Sequence, residues 1–455
     1  MLYDFRPMPG QLDSDSLLLL HDALARLEEG FVNLPDPGTR TADPAALRRV
    51  LLATAERLRD NYPYFHPQYA GQMLKPPHAV ARLAYALAMW VNPNNHALDG
   101  GRASSAMEKE AVAEIARMFG WTTHLGHLTS GGTMANLEAL WIAGQLKPGT
   151  TVLASSQAHY THSRISAVLK LPFESIATDR HGHMDLAALE KRLSAGGVGT
   201  VVATLGTTAV GSVDPLPAIL ALREGYGFRL HADCAYGGYY VLTDNLATHA
   251  RAAYDRLNEV DSIVIDPHKH GLQPYGCGCV LFRDPEVGAH YRHDSPYTYF
   301  SSKELHLGEI SLECSRAGAA AVALWATQRL FPLARGGEFA RMLEDCRAAA
   351  LEFHALLAKD EHFITAFPPE LDIVTWAVRA PTADESSDKA RAIFTRAARA
   401  GLYLALAELP AEFFGNPWGS GGTVTALRSV LMKPEHRAAL PAIAKLLTES
   451  AGRGE

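Results

Sequence analysis

The sequence predicts an α/β protein: a large domain with a mostly parallel mixed sheet, a helical N-terminal arm and a small C-terminal α+β domain. Three observations predict it. Short apolar or β-branched runs at 151–154, 200–205, 228–232, 262–265 and 279–282 are separated by helical stretches. Runs without polar alternation are strands buried on both faces, the mark of a parallel sheet covered by helices. The first ninety residues have helical periodicity at 16–29 and 43–59, proline-rich breaks at 33–38 and 75–78, and little strand signal. After about 331, helical patterns at 339–357 and 387–400 flank a strand at Ile373–Val378. The expected units are therefore 1–90, 91–330 and 331–455.

Each element has a local reason. The arm cannot bury a core alone, so it must pack on something else, such as a second subunit. Ser105-Ala-Met-Glu108 spells a capping box that would open a helix ending at Phe119, with Gly120 as its stop. The strand at 262–265 is stopped by Pro267, which leaves His268 and Lys269 on the turn at its carboxyl end.

Composition excludes several classes. Of 455 residues, 47% are hydrophobic and 20% charged, as in a packed globular chain. The net charge of −7 gives no electrostatic case for nucleic acid or an anionic membrane. The apolar stretches at 83–91 and 317–326 fall far short of the roughly 18 residues needed to span a bilayer. No signal peptide is evident, and five cysteines fit a reducing cytoplasm.

Four segments carry chemistry. Lys269 sits where open α/β sheets bind ligands. A lysine there is ordinarily a solvated residue, but in an apolar setting it loses its proton readily and forms Schiff bases. Asp233 follows the strand-like run at 228–232, in which Phe228, Leu230 and Ala232 are apolar, and so lies at a strand end facing the same edge. It either caps a turn or serves as a counter-ion to a cofactor's pyridinium nitrogen. Gly131, Gly132 and Thr133 precede a helix, and such a turn lets backbone N–H groups meet a phosphate. His159, just after the strand at 151–154, is either structural or able to lie flat on an aromatic ring. A zinc site at Cys277 and Cys279 lacks a second spaced pair, so no metal is expected. A serine hydrolase is unsupported, since no G-x-S-x-G elbow occurs.

Taken together the chain resembles the group II pyridoxal phosphate-dependent amino-acid decarboxylases, a family that includes aromatic-L-amino-acid, tyrosine, glutamate and cysteine sulfinate decarboxylases. The resemblance runs from about His66 through Arg428. It rests on HP-x4-Q at 66–72, TSGGT-x-AN at 129–136, QAHY at 157–160, ATLGTT at 203–208, HADCAYGG at 231–238 and DPHK at 266–269. It implies an aspartate-aminotransferase-like (type I) fold and a homodimer with active sites near the interface. It implies that Lys269 carries pyridoxal 5'-phosphate as a Schiff base, Asp233 pairs with the ring nitrogen and His159 stacks on the ring. Gly132, Thr133 and His268 would hold the phosphate, beside Gly131 of the same turn, and Thr208 and Ala235 would line the ring pocket. Met134 departs from the glutamate of many members, with its side chain expected to face away from the phosphate.

The same resemblance implies a proton donor on a loop about thirty residues after the lysine. Tyr297 and Tyr299 fall 28 and 30 residues after Lys269, and Tyr299 is preferred. Gln72 and Met73 align with the family's substrate pocket. Gln72 resembles the glutamine of acidic-substrate members, whereas Met73 and Leu74 suit a ring. The expected reaction is decarboxylation of an L-amino acid to the amine and carbon dioxide. The expected substrate is aromatic, with an acidic amino acid second; an aldehyde synthase or carbon–carbon lyase of the same fold is the further alternative.

Overall fold

The computed structural model describes residues 16–35, 38, 43–292, 305–419 and 421–452. Its centre is a seven-stranded sheet. The strands are β1 (Leu125–Thr129), β2 (Thr151–Ser155), β3 (Phe173–Ile176), β4 (Val198–Thr204), β5 (Arg229–Asp233), β6 (Ser262–Ile265) and β7 (Gly278–Phe282). Their spatial order is β1-β7-β6-β5-β4-β2-β3. β3, β2, β4, β5 and β6 run parallel, while β7 is antiparallel to both its neighbours. Every residue of β2, β6 and β7 is buried, as expected of strands covered on both faces. The five expected strands are all present, within two residues at each end.

Two strands of this sheet were not legible. β3 is an edge strand with Glu174 and Ser175 exposed, so it lacks an apolar run. β1 has His127 at its centre, fully buried, with Nε2 2.9 Å from Glu138 Oε2. The pairing lets the strand carry a polar side chain inside the core.

The expected capping box is not formed. The helix starts earlier, at Arg102, and runs to Met118 with Gly101 as its N-cap. Ser105 and Glu108 lie inside it and face inward. Glu108 Oε1 accepts from Leu128 N–H at 2.9 Å and from Arg316 Nη1 at 2.7 Å, and its Oε2 accepts from Asn95 Nδ2 at 2.6 Å. A buried ion pair with its remaining oxygens satisfied is favoured here over a cap on the surface. Gly120, at φ +84°, does terminate the helix.

A second sheet of four antiparallel strands follows: β8 (Phe363–Thr365), β9 (Ile373–Val378), β10 (Ala405–Pro410) and β11 (Thr423–Val430), in the order β10-β11-β9-β8. Helices Glu338–Leu357, Ala383–Arg399 and His436–Gly452 cover it around a core that includes Phe353, Trp376 and Leu427.

The N-terminal segment divides. Helices Ser16–Glu28 and Pro44–Leu58 contain no buried residue. Residues from Tyr69 onward are integrated. Tyr69 bridges Tyr403, Ala70 accepts from Val430 N–H at 2.7 Å, and helix Ala79–Met89 packs on Gly318–Leu330.

Glu108→Ala would leave Arg316 buried without its carboxylate. The loss of one partner of a buried pair costs about 3–5 kcal/mol. A denaturant titration with an unchanged midpoint would contradict this account.

Candidate active site

The parallel strands aim their carboxyl ends at one crevice, the usual ligand site of open α/β sheets. β4 ends at Thr204, opposite Asp233, the last residue of β5; Asp233 in turn lies opposite Val264 of β6. β6 delivers Asp266, His268 and Lys269 to the turn that follows. The antiparallel return of β7 brings in the fourth component, because its first residue, Gly278, pairs with Thr129. A Cβ on Gly278 would stand 2.5 Å from the Gly131 carbonyl carbon, so only glycine permits the approach. This contact holds the 130–133 turn beside Lys269.

These segments enclose a cavity of about 340 Å³. Gly131, Gly132 and Thr133 form one wall, at the start of helix Gly132–Leu146. His159 and Thr208 approach from β2 and β4. Asp233 and Ala235 form the floor, and His268 and Lys269 close the remaining side. Lys269 Nζ lies 3.1 Å from Asp266 Oδ2.

Asp233 is the electrostatic centre. Burial opposes its charge, but the His162 hydrogen bond and charge outweigh that cost, helped by Lys269 and the Ala235 N–H. Its carboxyl is held well below the usual carboxylate range. His162 Nε2 is 2.8 Å from Asp233 Oδ2, and Ala235 N–H donates to Oδ1 at 3.1 Å. Burial lowers His159 and His268 below the ordinary imidazole range. His159 Nδ1 accepts from Thr161 N–H at 3.3 Å, which fixes the ring.

Residues 141–379 match the family model of the pyridoxal-dependent decarboxylase conserved domain. The chain belongs to this family. It is 28% identical to an L-tyrosine decarboxylase of Enterococcus faecium, over 72% of each chain. It is 33% identical over 260 residues to a probable L-aspartate decarboxylase of Halobacterium salinarum, covering 56% of this chain and 70% of that one. In fold it is similar to mouse CSAD (TM-score 0.77, 19% identity, 96% of this chain and 99% of that one). It is also similar to Oryza sativa TDC with PLP and tryptamine (TM-score 0.75, 20% identity, 98% and 99%). The protein is a pyridoxal phosphate-dependent amino-acid decarboxylase, with the fold type expected.

The decarboxylase's cavity fits that cofactor. A Cβ on Gly132 would lie 2.6 Å from Asp266 Oδ2, so the turn must stay bare, as close anion approach requires. His268 Nδ1 is buried beside this turn with no hydrogen-bond partner among the described residues. An ionised carboxylate at the far end suits a protonated pyridine nitrogen, and a lysine lies between. When bound, pyridoxal phosphate supplies the electron sink for the pair left when the α-carboxylate departs.

All nine residues expected around the cofactor line this cavity. Met134 is among the residues that line it as well. Gln72 and Met73 do not line it. Gln72 is exposed, and its Oε1 accepts from Arg428 Nη1 at 3.2 Å. The Met73 carbonyl accepts from Tyr275 Oη at 2.9 Å. Tyr297 and Tyr299 lie outside the described residues. Sequence reading missed His162 and Asp266. His162 follows His159 by three residues on a helix start, a spacing that shares a face, and Asp266 opens the DPHK run.

His162→Leu would remove a charge-assisted hydrogen bond worth about 1.5–3 kcal/mol. A roughly ten- to hundredfold fall in kcat is expected with cofactor stoichiometry retained, read by steady-state assay at saturating cofactor. Full turnover in this variant would mean that Asp233 does not depend on His162.

Proposed function

We propose that the decarboxylase acts on an aromatic L-amino acid. The observation that carries this reading is the absence of a spare cation. Among the described residues lining the cavity, Lys269 is the one lysine or arginine. Arg428, the nearby buried candidate, spends its donors on carbonyls: Nε on Ala209 at 3.0 Å, Nη1 on Gly71 at 3.3 Å and Nη2 on Thr208 at 2.7 Å. A distal carboxylate would need a charge-assisted donor, and a ring needs none. An acidic substrate is the second reading, favoured by the likeness to a probable L-aspartate decarboxylase.

In this reading Lys269 Nζ holds the cofactor covalently and Asp233 keeps the ring nitrogen protonated. His159 lies on the ring face, beside Thr208 and Ala235. Gly131, Gly132, Thr133 and His268 hold the phosphate. Gln72 bears on the substrate through Arg428, which anchors the Thr208 carbonyl. Tyr299 Oη hands a proton to the substrate α-carbon after carbon dioxide leaves.

The decarboxylase works as a homodimer in this proposal. Leu17, Leu18, Leu19, Val50, Leu51 and Leu52 are all more than half exposed on the two N-terminal helices. Apolar faces of that extent are normally covered. Residues 1–90 are then the N-terminal unit, whose two outer helices before Tyr69 supply the dimerisation surface, with 91–330 the cofactor domain and 331–455 the small domain. A cytoplasmic setting agrees with four buried, unpaired cysteines and with the absence, among the described residues, of a helix able to cross a membrane.

Two experiments test these assignments. Tyrosine, dopa and tryptophan should yield amine and carbon dioxide, and Gln72→Ala should alter their KM only modestly. Turnover of glutamate or aspartate alone would overturn the aromatic reading. Tyr299→Phe should bind cofactor normally but divert product toward aldehyde and ammonia. Normal amine yield there, with failure in Tyr297→Phe, would transfer the role to Tyr297.

A further inference from the structure

His183, His249 and Glu370 converge away from the cofactor cavity, and none of them lines it. His183 lies in the connection after β3, where Thr178 and Met184 form a bridge. His249 is on helix Thr248–Tyr254, and Glu370 precedes β9 of the small sheet. His183 Nε2 is 2.5 Å from Glu370 Oε1, and His249 Nε2 is 3.0 Å from the same oxygen. The three ligand atoms all lie within 4.8 Å of one another.

Two imidazoles and one carboxylate are the protein ligands of many zinc sites that keep a fourth position open. Bonds of about 2.0–2.1 Å in a tetrahedral site put neighbouring ligand atoms roughly 3.3 Å apart. The two imidazole–carboxylate spacings, 2.5 and 3.0 Å, reach that value with shifts of under about 1 Å, and the two imidazole nitrogens are within 4.8 Å of each other.

The surroundings orient these ligands. Asp179 Oδ2 lies 3.2 Å from His183 Nδ1, the carboxylate–histidine pairing that points the opposite nitrogen at a metal. Asp179 is itself fixed by the N–H groups of His181 at 2.8 Å and His183 at 3.0 Å. The other oxygen of Glu370, Oε2, accepts from Val213 N–H at 2.8 Å. A protonated His183 between two carboxylates would explain its own position without a metal. His249, with 54% of its side chain exposed, brings Nε2 to the same oxygen, so two imidazoles converge on one carboxylate oxygen with one side open to solvent.

We propose that His183 Nε2, His249 Nε2 and Glu370 Oε1 bind one divalent transition-metal ion of the zinc type, with Asp179 as the positioning residue for His183. Water fills the fourth position through the open His249 side. The ion joins the small-sheet region to two elements of the large one, so its role is to clamp them. Imidazole with carboxylate suits zinc or cobalt rather than calcium or magnesium.

The test uses cofactor-loaded enzyme dialysed against a chelator. Zinc chloride, titrated by calorimetry, should bind at one equivalent and raise the Tm, and cobalt chloride should give the visible band of a low-coordinate ion. His249→Ala, at an exposed position, should fold, keep amine production, lose the cobalt band and weaken zinc binding at least tenfold. Asp179→Asn should weaken zinc roughly 10–100-fold. His181→Ala should bind as the parent does. No saturable zinc binding, binding unchanged by His249→Ala, or loss caused by His181→Ala would each overturn the proposal.

Discussion

The site depends on keeping one carboxylate ionised inside the protein. Asp233 is 4% exposed, at the end of a strand buried on both sides. An isolated carboxylate there would take up a proton. The surrounding structure prevents this. His162 approaches one oxygen and the Ala235 N–H the other. His231, two residues earlier on β5, is pinned between Ser262 Oγ and Asn136 Oδ1, both at 2.8 Å, and burial pushes it down to about 3. It therefore adds no charge beneath Asp233. Its role is to lock β5 to β6 and to helix Gly132–Leu146, the helix whose first turn forms the opposite wall.

Backbone shape supplies the rest. Parallel strands alone would bring β4, β5 and β6 together, but not the 130–133 turn. The antiparallel β7 does so, by inserting between β6 and β1. Its price is a glycine at 278 against Gly131, and a bare Gly132 against Asp266. Cys277 and Cys279 flank that glycine. Both are buried, and burial pushes their thiols up, so they stay protonated and act as core packing.

What the sequence revealed follows from this physics. Strands buried on both faces are largely apolar, so β2, β4, β6 and β7 stood out; β5 showed through Phe228, Leu230 and Ala232 although Arg229 and His231 alternate with them, and the residues just past the strand ends marked the cavity. β1 was hidden because Gly126 and the paired His127 leave it only two apolar residues, and β3 because it lies at an edge. Glu108 has the spelling of a capping-box residue because a capping box and a buried ion pair look alike in sequence; only the distant Arg316 distinguishes them. His162 was hidden because its partner is 71 residues away. Gln72 was read as a pocket residue from its alignment, yet its contact is Arg428, 356 residues later.

The small sheet's region is held against the cavity by polar contacts as well as by apolar packing, and those contacts reach the cavity wall itself. Asp372 accepts a hydrogen bond from Tyr236, which lines the cavity, and His270 Nε2 lies 3.3 Å from its other oxygen. Burial pushes the Asp372 carboxyl up to about 6 despite that hydrogen bond. Arg428 of β11 grips the Thr208 carbonyl, and Glu370 grips Val213 a few residues further along the same connection. Asp214 closes that connection by accepting from Thr204 N–H at 2.8 Å and Met184 N–H at 2.7 Å. Apolar burial fixes how strongly two regions adhere, but it is not directional. Hydrogen bonds to buried charged groups also fix register and angle, because a small displacement leaves a carboxylate or guanidinium without its partners. The residues that face the cofactor cavity from β4 and β5 thus take their positions partly from groups that never enter it.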